Sequence, residues 1–109
     1  MKTTVVDTTK LEWRASPYEG VQWKKLTFDK ETGLSTVLLR FEPGASYGAH
    51  RHPKGEQYFV LDGSLEEGGK TYGAGTYVRY FPGSAHQPSS REGCTLLVTL
   101  PKPVEMIGE

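Results

Sequence analysis

The sequence has one cysteine, Cys94, so no intrachain disulfide can form. That excludes a disulfide-stapled scaffold and makes a reducing compartment, the cytoplasm, the default expectation. It has no excess charge of either sign, since 13 basic residues meet 13 acidic ones. A neutral balance argues against a nucleic-acid binder working through a general basic field, because phosphate contacts need a clustered positive excess. It argues equally against a polybasic membrane-surface protein. Long apolar runs are missing too. The longest, such as Val37-Leu38-Leu39 and Leu96-Leu97-Val98, are far too short to span a bilayer. The opening stretch, Met1 to Trp13, carries Asp7 and Glu12 and no apolar core of signal-peptide length, so no secretion or transit segment is read there. Hydrophobic residues make up only 36% of 109 residues. A chain this short buries roughly two-thirds of its unfolded surface. The low apolar share therefore points to help from a metal, a partner subunit, or both.

What the chain has in quantity is turn formers, 13 Gly and 7 Pro. Short runs rich in Val, Thr, Leu and aromatics alternate with these turns, and no stretch keeps helical periodicity. Strands are expected at Gly20 to Phe28, Leu34 to Phe41, Glu56 to Leu61, Ser64 to Glu66, Lys70 to Tyr72, Thr76 to Phe81 and Cys94 to Leu100. An edge strand is expected at Thr3 to Val6. Asp29 to Gly33, Asp62-Gly63 and Glu67 to Lys70 read as hairpin turns, and Pro82-Gly83 as a further turn. No repeat, linker or low-complexity segment divides the chain, so residues 1–109 read as one all-β domain. So many short strands in a small domain are best closed as a barrel or a double-sheet jelly roll.

All three histidines and one glutamate fall in a suggestive order: His50, His52, Glu56 and His86. On an extended strand, residues two apart project from the same face, so His50 and His52 point the same way. Pro53-Lys54-Gly55 can turn the chain so that Glu56 heads the next strand toward the same point. His86 follows the Pro82-Gly83 turn on a different strand pair. A lone histidine on a strand is ordinarily surface or core filler, but the full set suits a divalent transition metal: Zn, Fe, Mn or Ni.

The same residues fill the two motifs of the cupin superfamily, which the chain resembles. The first stands as Gly44-ASYGA-His50-Arg-His52-PKG-Glu56-QYFVLD-Gly63. The second stands as Gly75-TYVRY-Phe81-Pro82-Gly83-SA-His86. Phe81 takes a position where the family has Pro, and Ser90 one where it has Asn. Residues 44–90 carry these motifs. Trp13, Gly20 to Leu26, Glu31-Thr32-Gly33, Leu39 to Gly44, Leu61 to Ser64 and Gly75-Thr76-Tyr77 further resemble the ChrR-type cupin subgroup. It is named for the C-terminal cupin domain of a bacterial anti-sigma factor, includes stand-alone single-domain cupins, and is similar to dioxygenases that cleave acetylacetone. The resemblance implies a small cupin barrel, a double-stranded β-helix or jelly roll, with metal at His50, His52, Glu56 and His86. It also implies a homodimer. It does not carry over sigma-factor binding, which belongs to a separate N-terminal helical zinc domain without counterpart here.

Two functions are expected from this set. One is a metal-binding cupin that binds or senses a small molecule. The other is a metal-dependent dioxygenase cleaving a small diketone or hydroxyketone, with the metal as Lewis acid and template. Alternation from Glu56 places Tyr58 and Val60 inward as pocket candidates. Arg40 or its neighbour Leu39 must face the barrel, which makes Arg40 a candidate for an anionic or enolate ligand. Trp13, Trp23, Tyr77, Tyr80 and Phe81 suit either a pocket or a subunit interface. Cys94 reads as a small core residue, and Glu66-Glu67 and Lys24-Lys25 as solvated faces.

Overall fold

The computed structural model describes residues 3–48 and 55–101 in full and the backbone of residues 50–51 and 105–106. The strands among them are β1 (Arg14–Ala15), β2 (Val21–Phe28), β3 (Ser35–Phe41), β4 (Ala45–Ser46), β5 (His50–Arg51), β6 (Glu56–Glu67), β7 (Lys70–Gly73), β8 (Tyr77–Tyr80), β9 (Ala85–His86), β10 (Ser89–Ser90), β11 (Cys94–Leu100) and β12 (Glu105–Met106). Composition accounts for the strongest of them. β3 and β11 are built from Thr, Val and Leu, whose side chains fit a pleated, half-buried surface. They pair antiparallel along their whole length, from Cys94 opposite Phe41 to Leu100 opposite Ser35.

The main sheet runs β1-β2-β3-β11-β6-β10-β4, with β7 and β8 also hydrogen-bonded to β6. A smaller sheet, β12-β5-β9, brings the backbones of His50 and His86 opposite each other. The architecture is an all-β, cupin-like fold whose sheet curls into an open half-barrel. That is coarser than the closed barrel expected from the sequence. The expected edge strand at Thr3 to Val6 is not formed. Instead Asp7 caps a single turn, Thr8–Lys10, by accepting from the Thr9 amide at 3.1 Å. The N-terminal edge is supplied later, by β1 against β2.

β6 is the strand that shapes the fold. Its first half pairs with β11 and β8, and its second half pairs with β7 and β10. Asp62-Gly63, expected as a hairpin turn, lies inside this continuous strand. Between the two halves the register against β11 slips: Thr95 faces Asp62, yet Leu96 faces Val60, leaving Leu61 as an extra residue. This β-bulge bends the strand and reverses which parity points inward. Before it, Glu56, Tyr58 and Val60 are buried; after it, Leu65 and Glu67 are. Gly63 makes the close approach possible. Its φ is +75°, and a Cβ there would sit 2.0 Å from the Gly93 carbonyl oxygen. The true hairpin follows at Gly68-Gly69, where both φ values are positive, as a tight two-residue turn demands.

The core lies inside the curl. Val21, Phe41, Ala45, Tyr58, Val60, Leu65, Cys94, Leu96 and Val98 form one buried cluster. Full burial of an aliphatic side chain such as Leu65 contributes about 1.5–3 kcal/mol.

Candidate functional site

The concave face of the curl encloses a cavity of about 540 Å³. Its walls come from alternate residues of four strands. β2 gives Trp23, Lys25 and Thr27; β3 gives Val37, Leu39 and Phe41; β11 gives Leu96, Val98 and Leu100; β6 gives Tyr58 and Leu65. The walls are thus mainly apolar. Polar groups reach the cavity in two places: Lys25, Thr27 and Ser35 on β2 and the start of β3, and, at one corner, Glu56, Tyr58 and His86 beside Tyr47.

That corner is a connected network of buried groups. His86 Nδ1 lies 2.8 Å from Glu67 Oε2, and His86 Nε2 lies 3.5 Å from Glu56 Oε1. The Tyr58 hydroxyl donates to Glu67 Oε1 at 3.3 Å, and the Tyr80 hydroxyl donates to Glu67 Oε2. The Tyr80 ring also packs on the imidazole, with centroids 4.4 Å apart. Glu67 is the hub, only 8% exposed: it accepts from the Tyr58 and Tyr80 hydroxyls and lies against His86 Nδ1. Burial works against its negative charge more than any other single effect. Hydrogen bonds from His86, Tyr80 and Tyr58 together outweigh it and hold the carboxyl below its usual pKa. The tyrosines respond in the opposite sense. Burial, then the neighbouring Glu67 charge, push Tyr58 far above the ordinary phenol range. Tyr80 is raised too, by burial and then by its bond to Glu67. Tyr47 is pushed up to about 12, first by burial and then by Tyr18 and Glu56.

Of the residues singled out in the sequence, Glu56, Tyr58 and His86 meet at this corner. Val60 is fully buried in the adjoining core. His52 and the side chain of His50 lie outside the described residues. Arg40, for which pocket and solvated edge were equally open, does not line the cavity. Leu39 and Phe41 on either side of it line the cavity, so alternation sends Arg40 to the opposite face. There its guanidinium lies 4.4 Å from the Trp13 ring centroid, and its Nε donates to Gln22 Oε1 at 3.0 Å. Trp23 lines the cavity, whereas Tyr77 and Phe81 are exposed. Cys94 is buried, and burial pushes its thiol up to about 11.

The metal expectation is also corrected. Among the described residues no group of three or more His, Cys, Asp or Glu side chains is placed to hold a metal ion. The donors that do meet are strung along the imidazole. Glu67 sits at Nδ1 and Glu56 at Nε2, on different edges of the ring, so the three do not converge on one point. Coordination needs lone pairs that converge. The expected Zn, Fe, Mn or Ni cofactor at His50, His52, Glu56 and His86 therefore finds no ligand cluster among the described residues, which hold Glu56 and His86 of that set, and the metal-dependent dioxygenase reading built on it is corrected with it.

Glu67 was missed by the sequence reading, which placed Glu66-Glu67 on a solvated face. Counting by twos from Glu56 reaches Glu66, and only the bulge at Leu61 turns Glu67 inward. A glycine followed by further strand residues was the available signal. Of Lys24-Lys25, also expected on a solvated face, Lys25 is exposed and Lys24 is half-buried. Lys25 lines the cavity, while Lys24 packs over Trp13 and donates to the Thr8 carbonyl at 2.8 Å.

Solved structures with the same fold include a candidate acetylacetone dioxygenase from Methylibium petroleiphilum PM1, with a TM-score of 0.93 and 22% identity, covering 99% of this chain and 83% of that one. An acetylacetone dioxygenase from Acinetobacter johnsonii superposes with a TM-score of 0.85 at 22% identity, over 100% of this chain and 83% of that one. The anti-sigma factor ChrR, in complex with Rhodobacter sphaeroides SigE, matches with a TM-score of 0.74 at 23% identity, over 86% of this chain and 51% of that one. At such identities these likenesses show a shared fold. No curated protein sequence matches the chain. No helix among the described residues is long and apolar enough to cross a membrane. The family described as the ChrR Cupin-like domain matches residues 1–103, and the chain belongs to that family.

Proposed function

We propose that this chain binds a small, mostly apolar organic molecule inside the curled sheet. The carrying observation is the cavity itself: about 540 Å³, walled mainly by Val, Leu, Phe and Trp, with a buried polar corner at Glu56, Tyr58 and His86. Small-molecule sites have this volume and this composition, apolar walls for affinity and a few polar groups for orientation. The apolar body lies against Leu39, Leu96 and Val98, and its single polar group meets the Glu56–His86 edge. The solved acetylacetone dioxygenases with the same fold are in keeping with a small organic ligand.

A thermal-shift panel of neutral, aromatic or aliphatic fragments tests this reading. A ligand that binds only the folded chain raises its melting temperature by mass action. Leu39→Trp, which fills the cavity from β3, is expected to abolish the shift. Absence of any shift across the panel, or an equal shift in Leu39→Trp, contradicts the proposal.

A further inference from the structure

The outer face of the sheet, on the side away from the cavity, carries apolar side chains that the core does not use. Register brings them together. Leu97 on β11 lies opposite Phe59 on β6, Phe59 lies opposite Tyr77 on β8, and Leu97 has Leu38 of β3 on its other side. Leu61, the extra residue of the bulge, adjoins the row on β6. Phe81 continues the face beyond β8, where the Arg79 guanidinium lies 5.7 Å from its ring centroid. Phe81 is 70% exposed, Tyr77 55%, Leu61 47%, Phe59 39% and Leu97 36%. Apolar side chains scattered singly over a surface need no explanation, but these five are gathered on one face. Together they expose on the order of 400 Å².

The row has polar flanks, and their charges are opposite. Thr95 and Thr99 lie two residues to either side of Leu97. Thr99 faces Gln57, which faces Arg79, whereas Thr95 faces Asp62. The extra residue Leu61 is what brings Asp62 opposite Thr95, so the two flanks stand at equal distances from the row. Arg79 and Asp62 are both exposed. A two-fold axis lying in an interface along the Leu97–Phe59–Tyr77 row would keep each strand over its own copy and reverse its direction. The Asp62 flank of one chain then covers the Gln57–Arg79 flank of the other, twice. Neighbouring strands such as β6 and β8 are about 4.8 Å apart, a gap that an arginine side chain spans.

We infer that this outer face packs against the same face of a second copy, forming a symmetric dimer with Phe59 and Leu97 at its centre and two Asp62–Arg79 pairs at its rim. The area agrees. A stable interface buries about 800 Å² per copy, about a tenth of a small protein's surface, and the whole surface of this chain is 7116 Å². The apolar row supplies roughly half of that requirement, and the flanking Thr, Gln, Asp and Arg side chains supply a polar rim. The opposite signs of the flanks favour a second copy over a foreign partner, because the same face inverted supplies both complements at once. The cavity, on the inner side of the sheet, is left open.

Sedimentation equilibrium of the full chain tests this. Wild type is expected at twice the 12.1 kDa of one chain. Phe59→Lys, a charge at the centre of the face, is expected to weaken association at least about thirtyfold, as loss of a central anchor does. Phe28→Lys places the same charge at an exposed position on the cavity side and is expected to leave the dimer intact. Asp62→Arg and Arg79→Asp are each expected to weaken it roughly tenfold, and the double exchange to restore it.

A wild type that stays monomeric up to about 1 mM overturns the inference and leaves the face to a different partner. A dimer equally tight in Phe59→Lys overturns the choice of face. A loss that the double exchange does not recover overturns the two-fold arrangement. Should Phe59→Lys not fold, an isotope-filtered NOE spectrum of mixed labelled and unlabelled wild type decides. Contacts between chains are expected at the Leu61 and Leu97 methyls, and contacts confined to the cavity methyls of Leu39 and Leu96 overturn the inference.

Discussion

Alanine at position 63 is the sharpest perturbation of the architecture that places Glu67. A Cβ on Gly63 would lie 2.0 Å from the Gly93 carbonyl oxygen and 2.8 Å from Cys94 Cα, both backbone atoms. Relief requires β6 and β11 to part by more than an ångström at the bulge. Three costs follow. The left-handed φ of +75° costs alanine about 1–2 kcal/mol. The 3.2 Å hydrogen bond from the Ser64 amide to Gly93 is lost, for about 1 kcal/mol. Displacing the packed backbone beside buried Cys94 adds about 1–3 kcal/mol. Together they make Gly63→Ala roughly 4 kcal/mol less stable, a large part of the ~5–15 kcal/mol typical of a domain. Gly73→Ala is the control, since its φ is ordinary and nothing lies within 4 Å of the added carbon. It should stay within about 0.5 kcal/mol of wild type. Urea unfolding of both variants checks the pair. A difference between them under about 1 kcal/mol would refute the close-approach reasoning.

The remaining expectations address core and site separately. Leu65→Ala, at a side chain with no exposure, should cost about 2–5 kcal/mol in urea unfolding and also enlarge the cavity it lines. Tyr80→Phe removes one donor to Glu67 and should cost about 1–3 kcal/mol, with the fold retained by circular dichroism. Tyr47 keeps its proton in the folded chain up to about 12 while its ordinary value is 10.0. Its stabilisation is therefore complete below pH 10 and lost as pH rises toward 12, so Tyr47→Phe should flatten the alkaline limb of a stability–pH curve.

The strands were legible in the sequence where local chemistry decides them. Val21–Phe28, Ser35–Phe41 and Cys94–Leu100 follow from β-branched runs bounded by glycine and proline. The turn at Asp29 follows from its side chain, which accepts from the Glu31 amide at 2.9 Å. Asp62-Gly63 was misread because the same dipeptide serves a hairpin or a bulge, and only the facing Gly93 decides between them. That single slip inverted the burial of Glu66 and Glu67 and hid the hub of the polar corner. Arg40 was undecided for a related reason. Parity on β3 is relative, and the position of Leu39 and Phe41 on the cavity wall resolves it. Histidine spacing gave a reason to bring His86 and Glu56 together. It gave no information about the second carboxylate on the far side of the ring.

The most direct test of the account is a methyl-labelled NMR titration with 4-ethylphenol. Binding inside the curl predicts shifts at the wall methyls of Leu39, Leu65, Leu96 and Val98. The exposed methyls of Leu61 and Leu97, on the same strands but the opposite face, should stay in place. Shifts confined to Leu61 and Leu97, or none at all at saturating ligand, would contradict the claim that this cavity is a binding site.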